Sequence, residues 1–556
     1  MNQEICQCQN CKNEFTIEPD DFAFYEKMKV PPPTWCPECR FRRLSLFRNE
    51  TTLYSRQCDL CKKSIISSYS PDSPYTIYCQ SCWYSDKWDA RSYAMDYNSE
   101  RDFVSQLKEL TQKVPKFATY TSSFGKNVNS EYVNFAGGKE GMKNCFMCFN
   151  SGEGEDSMYC RGVRFVRNVG DAYYGLDLER CYEVVNAEKS TGVSFSQNIE
   201  GCLDSSFLYG CTNCTNCFGC VNVRHGNHKF LNEQLSKEEY LSRINKIRGS
   251  YKETEEFKKQ FDEFALNFPR RATVNLRTLE STGDFLFETK NVKDSFETAE
   301  SENSRFLYFA KAVKDSYNIV GFGYESQLLL ETAAVGYTSR AIGCAMCDNS
   351  QDIEYCFAMK QSRDCLGCDG LKNGEFCILN KTYSEEEYKK LREEIISELK
   401  EEGLYGGALS AVAPYAYNET VAQDNMPLSK EEALAMGFRW QENVQITKGK
   451  ETIELSDIPD NIKDTSPDVC HETFACISCG RNYKIIPQEF QLYQQLVVPL
   501  PRKCFFCRHI ERIHRRGPFK LSSRICAKCG KGIKTTYAPD RPEIVYCEQC
   551  YQQEVI

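Results

Sequence analysis

Cysteine and apolar positions in the middle of the chain recur at a fixed interval. Cys160, Cys181 and Cys202 follow one another at a spacing of 21, and the same spacing separates further Cys, Phe, Tyr and Val pairs. Short apolar runs interrupted by Gly, Asn, Asp and Ser at such a period are typical of a β-solenoid, in which equivalent positions stack from coil to coil. The pattern predicts a solenoid of about 21 residues per coil in two halves, 120–235 and 280–383, whose sequences match at an offset of 148.

Each solenoid half is followed by a predicted helix. A Ser-x-x-Glu capping box, which is a helix start signal, begins both helices. We expect these helices, over 236–270 and 384–402, to plug the open solenoid ends, where unpaired strand edges favour aggregation. Residues 403–469 then form a linker with one short capped helix, so the fold class is mainly β with α plugs.

The two ends of the chain carry the same cysteine pattern. Four CxxC pairs near the N-terminus recur near the C-terminus at a constant offset of 468. Two CxxC pairs supply the four thiolates of a tetrahedral structural zinc site, which leaves no open coordination position. The sequence therefore predicts double zinc modules at 1–95 and 470–556, with at least four zinc ions per chain. The sixteen predicted ligands are Cys8, Cys11, Cys36, Cys39, Cys58, Cys61, Cys79, Cys82, Cys476, Cys479, Cys504, Cys507, Cys526, Cys529, Cys547 and Cys550.

Chain distance suggests how the pairs combine within a module. In the N-terminal module, the first two pairs bracket a hairpin and lead into a helix, an order that predicts a treble clef over 6–50. The next two pairs bracket an alternating segment with a Pro-Asp turn, which predicts a plain zinc ribbon over 55–90. Nested pairing also satisfies the counts and stays open at this point.

A candidate fifth metal site lies in the second solenoid half. Cys344, Cys347, Cys365 and Cys368 form two CxxC pairs that a 21-residue coil would place one above the other. Residues i and i+3 of a straight strand point to opposite faces, so only one thiol of each pair would face the other coil. We therefore favour a ladder of buried thiols over a fifth zinc here.

Charge is distributed unevenly in a chain of 556 residues whose net charge is −9. Lys and Arg outnumber Asp and Glu by 14 to 7 in residues 470–556, whereas both classes number 12 in residues 1–95 and the middle is acidic. A basic stripe on a rigid zinc module is typical of phosphate contact, which favours a non-catalytic, zinc-dependent nucleic-acid-binding protein, of RNA more than DNA. The predicted contacts are Arg502, Lys503, Arg508, Arg512, Arg515, Arg516, Lys520 and Arg524.

Three alternatives to nucleic-acid binding stay open. The arginines could pair with Glu residues or with the acidic solenoid instead of binding a partner. The chain could be a structural scaffold for protein partners, because solenoids present long, flat surfaces. It could also be a carbohydrate-active β-helix enzyme that uses carboxylates of the solenoid face.

The sequence does not favour catalysis or a membrane location. It contains no GxGxxG, P-loop, HExxH or GxSxG motif, and no histidine stands in a catalytic pattern. No apolar run approaches the length of about 18 residues that a membrane-spanning helix needs. The N-terminus has no signal-peptide pattern. We therefore expect a cytoplasmic protein that is not an enzyme, with thiols that are reduced because no secretion signal is present.

The sequence carries two resemblances to known groups of proteins. The end modules, with CxxC, an aromatic-rich stretch, proline and then CPECR, resemble a small bacterial treble-clef zinc-ribbon domain. The whole layout resembles a family of cysteine-rich, multi-zinc-ribbon proteins from uncultivated candidate-phyla bacteria. The segments that carry the second resemblance are CPECRFRR (36–43), YSRQCDLC (54–61), YNETVAQ (417–423) and TTYAPDRPEIVYCEQCY (535–551). It implies zinc binding and a bacterial cytoplasm but no particular activity.

Overall fold

The computed structural model describes residues 3–120 and 127–555. Residues 121–126, at the start of the predicted first solenoid half, lie outside the described residues. The chain divides into two compact units, each built from two separated segments. Unit 1 combines Met1–Ala118 with Thr273–Val444, and unit 2 combines Thr119–Ala272 with Gln445–Ile556. Each unit therefore joins one cysteine-rich end module to one solenoid half.

Helices occur in both end modules and after both solenoid halves. Those of the described residues are α1 Pro19–Met28, α2 Pro37–Ser45, α3 Gln80–Trp83, α4 Phe103–Lys113, α5 Lys237–Ile244, α6 Tyr251–Ala265, α7 Glu385–Glu401, α8 Val421–Asn425, α9 Lys430–Ala435, α10 Pro487–Leu496, α11 Phe505–Arg516 and α12 Glu548–Val555. The predicted capping boxes are present at the starts of α5, α7 and α9. Short 3₁₀ turns connect these helices in both units.

Each end module contains two antiparallel hairpins that carry CxxC pairs. The hairpins are Glu4–Gln7 with Glu14–Ile17, Tyr54–Gln57 with Ser64–Ser67, Phe474–Ala475 with Asn482–Tyr483, and Ser522–Ile525 with Gly532–Thr535. A short parallel pair ties each module to a neighbouring segment of its own unit. These pairs are Ile77–Tyr78 with Lys116–Phe117, and Arg270–Arg271 with Val545–Tyr546.

The middle of the chain forms two parallel β-solenoid halves, as predicted. The strands of the first are Gly137–Lys143, Gly152–Glu155, Arg161–Thr191, Ser194–Glu200, Ser206–Tyr209, Thr215–Val221, Asn227–Phe230 and Glu233–Gln234. Those of the second are Asn275–Leu276, Gly283–Phe287, Lys290–Lys293, Ser295–Ala299, Glu302–Ala310, Val313–Lys314, Tyr317–Phe322, Ser326–Val335, Ser339–Ile342, Gln351–Glu354, Arg363–Leu366, Glu375–Ile378 and Lys381–Thr382.

The coil is shorter than the sequence pattern predicts, and the length of about 21 is wrong. Parallel neighbours are offset by 12, as in Ser194 with Ser206 and Gln351 with Arg363. Each coil has four sides of three residues, and every third residue turns a corner with positive φ; Phe165, Asn168 and Asp171 have φ of 54°, 53° and 54°. An interval of 21 equals seven such triplets, so it links two inward positions that lie on different sides of the solenoid.

The inward positions of the triplets form the buried core of each half, and many of them carry small residues such as Val, Cys and Ser. Val163, Val166 and Val169 occupy successive sides of the first half and are at most 3% exposed. Ser and Cys at this position also satisfy backbone groups: Ser196 Oγ donates to the carbonyl of Ser194 at 2.8 Å and accepts the N–H of Leu208 at 3.0 Å. Buried backbone N–H and C=O groups need hydrogen-bonding partners. Small residues such as Ser and Cys fit the narrow interior of the coil and supply these partners.

The helices after the solenoid halves do not all act as plugs. An antiparallel strand, Glu233–Gln234 in one half and Lys381–Thr382 in the other, closes each parallel ladder. Helix α6 lies along a side of its solenoid, where Phe257 contacts Phe207 and Phe218 at ring-centroid distances of 5.0 and 4.8 Å. Helix α7 likewise reaches Glu354 through Arg392, at 2.7 Å, two coils before the end. Both helices therefore make contacts along the flank of their solenoid half and not only at its end.

Candidate metal centres and docking helices

Four groups of four cysteines could each hold a metal ion. Their sulfur atoms all lie within 4.8 Å of one another inside each group. The groups are Cys8, Cys11, Cys36 and Cys39; Cys58, Cys61, Cys79 and Cys82; Cys476, Cys479, Cys504 and Cys507; and Cys526, Cys529, Cys547 and Cys550. The cysteines thus pair sequentially within each module, and all sixteen predicted ligands fall into these groups.

The first CxxC pair of each group sits on a tight hairpin turn. The residue after its second Cys adopts positive φ: Lys12 at 63°, Lys62 at 62°, Gly480 at 70° and Gly530 at 73°. This turn directs backbone N–H groups inward, and further N–H donors reach the first sulfur from the second pair. Cys36 N donates to Cys8 Sγ at 3.2 Å. The backbone thereby stabilises a thiolate before any metal is considered.

The second CxxC pair of each group starts a helix. Cys36, Cys79 and Cys504 are the N-caps of α2, α3 and α11, and α12 begins directly after Cys547. The positive end of a helix dipole favours thiolates at this position. The order of knuckle, hairpin and helix predicted for the treble clef is present, and the segment predicted as a plain ribbon has its hairpin but also ends in a short helix.

The thiol pKa values fit metal binding. Burial raises the pKa of Cys58 and Cys526, but backbone N–H donors outweigh it and bring each pKa to about 6. In contrast, burial and the neighbouring thiols raise the pKa of Cys82 and Cys550 to about 12. Four crowded thiols cannot all ionise unless a cation balances their charge, and an all-thiolate tetrahedron is a ligand set that zinc prefers.

The candidate fifth site in the solenoid is not assembled. Because the coil repeat is 12, Cys356 stacks between Cys344 and Cys368, and its Sγ accepts the N–H of Cys368 at 3.5 Å. Cys365 lies on another side of the coil, and no metal-ligand group within 4.8 Å forms around Cys347 or the other three predicted ligands in the described residues. The favoured thiol ladder is present, but its members recur at a spacing of 12 and not of 21.

Half of the predicted nucleic-acid contacts in the C-terminal module are buried, namely Arg502, Arg508, Arg512 and Arg516. Arg508, Arg512 and Arg516 are spaced by four on α11, and their exposed fractions are 4%, 0% and 5%. Arg512 Nη1 lies 2.7 Å from Asp171 Oδ1 and 2.9 Å from Glu183 Oε1, on the solenoid flank of the same unit. The interpretation in which the arginines pair with the acidic solenoid is therefore the one that the geometry supports.

The other predicted contacts are also engaged in part. Arg502 donates to the carbonyls of Ile458 and Pro459 at 3.0 Å, and Lys503 pairs with Glu511 at 2.5 Å. Arg515 pairs with Glu183 at 2.8 Å. Arg524 donates to carbonyls of its own hairpin region. Lys520 is exposed.

The N-terminal module docks on its own solenoid half in a similar way. Arg43 on α2 pairs with Glu331 at 2.7 Å, and the Arg48 guanidinium lies 5.0 Å from the ring centroid of Phe322. Phe24 stacks on Tyr317 with ring centroids 3.9 Å apart. Sequence reasoning missed the solenoid partners Glu331 and Asp171. For α11, the spacing of its arginines in step with the apolar Phe505 on one helix face was the available signal.

No protein-family model matches the chain, and no curated protein matches it in sequence. Within the described residues, none of the helices combines the length and apolar character needed to cross a membrane.

Proposed function

We propose that the chain is a zinc-stabilised, non-catalytic scaffold protein. The observation that carries this proposal is the four-sulfur geometry, repeated at four places in two modules. Sites of this kind contribute folding free energy, since a preformed ligand set rarely exists in the unfolded chain. The proposed role of zinc is to hold each module in the shape that docks on its solenoid half.

Zinc is favoured over other metals by ligand type. Tetrahedral all-thiolate sites select zinc or iron–sulfur clusters among the common metals. The sulfur contacts between pairs, such as 3.7 Å for Cys11 with Cys36 and 3.8 Å for Cys61 with Cys79, suit four bonds of about 2.3 Å to a single ion. With every coordination position taken by sulfur, the ion would have a structural role.

The docking helices support a scaffold more than a nucleic-acid-binding protein. Their arginines are the groups that would contact phosphate, yet Arg508 and Arg512 are held by Asp171 and Glu183. Contact with phosphate would require α11 to leave the solenoid flank and give up these ion pairs. The same carboxylates are occupied by arginines and are therefore poorly placed to act on a sugar substrate.

Metal analysis of the purified chain tests this function. We expect four zinc ions per chain, and removal of metal by a chelator should abolish the near-ultraviolet circular dichroism of the modules. Cys58→Ser should remove one zinc ion. Cys6→Ser is the matched control, because Cys6 lies in the same module outside every four-sulfur group and should keep all four ions. Two or fewer zinc ions in the unmodified chain would contradict the proposal.

A further inference from the structure

Unit 2 contains a cleft that the scaffold function does not use. Its volume is about 420 Å³, within the usual range of sites for small organic ligands. One wall is the solenoid flank, and the others are α6, α11 and the segment from Tyr537 to Glu543. Five aromatic residues contribute to the lining: Phe195, Phe207, Tyr209, Phe261 and Tyr537.

A buried arginine faces this cleft without a hydrogen-bonding partner. Arg270 is 7% exposed, and among the described residues its guanidinium makes no hydrogen bond or ion pair, with Nη1 fully buried. It lies instead over the ring of Tyr209, 3.6 Å from the centroid. The hydroxyl of Tyr209 is 3.0 Å from that of Tyr537. A buried cation is costly unless an anion pairs with it, so this arrangement indicates an anionic ligand.

Three of the four carboxylates that line the cleft pair with other cations. Glu543 accepts from Arg541 Nε at 3.1 Å, Glu511 pairs with Lys503 and Glu183 pairs with Arg512 and Arg515. Asp262, on α6, lines the cleft but is exposed and has no hydrogen bond to Arg270 in the described structure. None of these acids hydrogen-bonds Arg270, although its charge acts to lower the pKa of Asp262 and of Glu543. Their negative charges also make the cleft unfavourable for a doubly charged phosphate.

We propose that this cleft binds a small organic carboxylate with an aromatic or aliphatic body, and that Arg270 is its anchor. The planar guanidinium fork matches the two oxygens of a carboxylate. The aromatic walls match the apolar body, which would lose contact with water on binding. Binding of this kind is a second activity, independent of the zinc sites.

The duplicated module shows that this feature belongs to one copy. At the offset of 468, Tyr69, Ser73 and Tyr75 stand where unit 2 has Tyr537, Arg541 and Glu543. In unit 1, Tyr69 and Tyr75 pack with Tyr415 in an apolar cluster. The copy in unit 2 thus carries charged and aromatic groups around a cleft where the other copy carries core packing.

Binding of phenylacetate and benzoate to the full chain tests the proposal, with inorganic phosphate as the competing probe. Titration calorimetry and saturation-transfer NMR should detect one of the carboxylates and show at least tenfold weaker phosphate binding. Arg270→Gln should weaken carboxylate binding at least tenfold. His514→Trp, at an exposed residue of the cleft lining, should block binding while Arg270 stays intact.

Arg161→Gln is the matched control. Arg161 is also buried and donates to the hydroxyl of Tyr173 at 2.9 Å, but it does not line the cleft, so its replacement should leave affinity unchanged. Zinc content and circular dichroism establish that each variant is folded. The proposal is overturned if neither carboxylate binds, if phosphate binds as tightly, or if binding survives His514→Trp.

Discussion

Replacing Arg512 by Ala should destabilise unit 2 strongly. The side chain is fully buried, and its Nη1 contacts both Asp171 and Glu183. Removal of one partner from a buried ion pair costs about 3–5 kcal/mol, because the remaining charges stay buried without compensation. Arg508 continues to pair with Asp171 at 2.9 Å, which places the expected loss near the lower limit, at about 3 kcal/mol.

Arg515→Ala is the matched control for this prediction. Arg515 lies on the same helix and pairs with the same Glu183, but its side chain is 34% exposed. An exposed pair contributes about 0–1 kcal/mol, so the control should be nearly neutral. The two substitutions remove the same charge from the same helix, but Arg512 is buried and also pairs with Asp171.

Urea denaturation separates the two variants. With a slope of about 3 kcal/mol per molar for a unit of this size, Arg512→Ala should lower the midpoint of the far-ultraviolet circular dichroism transition of unit 2 by about 1 M. Trp35, Trp83, Trp88 and Trp440 all belong to unit 1, so tryptophan fluorescence follows the other unit separately. Equal midpoints for the Arg512 and Arg515 variants would refute the assignment of Arg512 as a buried docking residue.

Three further predictions follow from the buried groups. Cys365→Ser with Cys368→Ser should leave the zinc count unchanged, because these thiols pack inside the solenoid; loss of one ion in metal analysis would restore the fifth site. Burial raises the pKa of Glu489 from 4.5 to about 7, against the opposing effect of its arginine neighbour, so the folded state holds the proton more tightly than the unfolded state. The free energy of unfolding of unit 2 should therefore fall by at most about 3 kcal/mol as the pH rises from 4.5 to 7. In urea titrations, Glu489→Gln should lack this fall. A variant whose unfolding free energy changes with pH as that of the unmodified chain does would contradict the prediction. Lys116→Met should cost unit 1 about 3 kcal/mol, because Asp369 stays buried without its cation. Burial already raises the pKa of Asp369 to about 6, so protonation of the carboxyl limits the loss. Lys116→Met combined with Asp369→Leu should be nearly neutral by tryptophan fluorescence, and equal losses would exclude the buried pair.

The metal centres could be predicted from sequence because their signal is local. Two cysteines three residues apart define a knuckle wherever the fold places it, and the repetition of four such pairs at one offset removes chance matches. The sequence left the pairing within a module open, and the sulfur geometry shows that it is sequential. What the sequence did not show is the helix after Cys79, since four residues are too few for a helical period.

The solenoid was predicted correctly as a class and wrongly in its coil length. An inward residue every third position makes every multiple of three a repeat distance, so the cysteine interval of 21 did not identify the coil. A second pattern marks the corners: Asn198, Asp204, Asn213 and Asn222 are all multiples of three apart and all have positive φ. Asn and Asp tolerate this conformation better than other non-glycine residues, and this was the stronger signal.

Charge counts misplaced the arginines because composition carries no information about burial. The docking arginines of α11 share a helix face with Phe505 and Ile513, both buried. A stripe that is basic in the linear sequence is therefore also the packing face of an amphipathic helix. Its partner carboxylates lie far away in the chain, at separations of 337 for Asp171 from Arg508 and 329 for Glu183 from Arg512. No local pattern connects such positions, so only the fold reveals the pairing.

The two kinds of interaction in a docking helix depend on each other. Helix α11 starts at the metal ligand Cys504, and its later turns carry Arg512, which pairs on the solenoid flank. A metal ion bound at the first turn would orient the whole helix. Less conformational entropy would then be lost when the arginines dock on the solenoid. Helix α2 repeats this design from Cys36 to Arg43, which pairs with Glu331. We therefore expect that metal binding at the four-cysteine groups would be coupled to docking of the module on its solenoid half, so that weakening a site loosens the module.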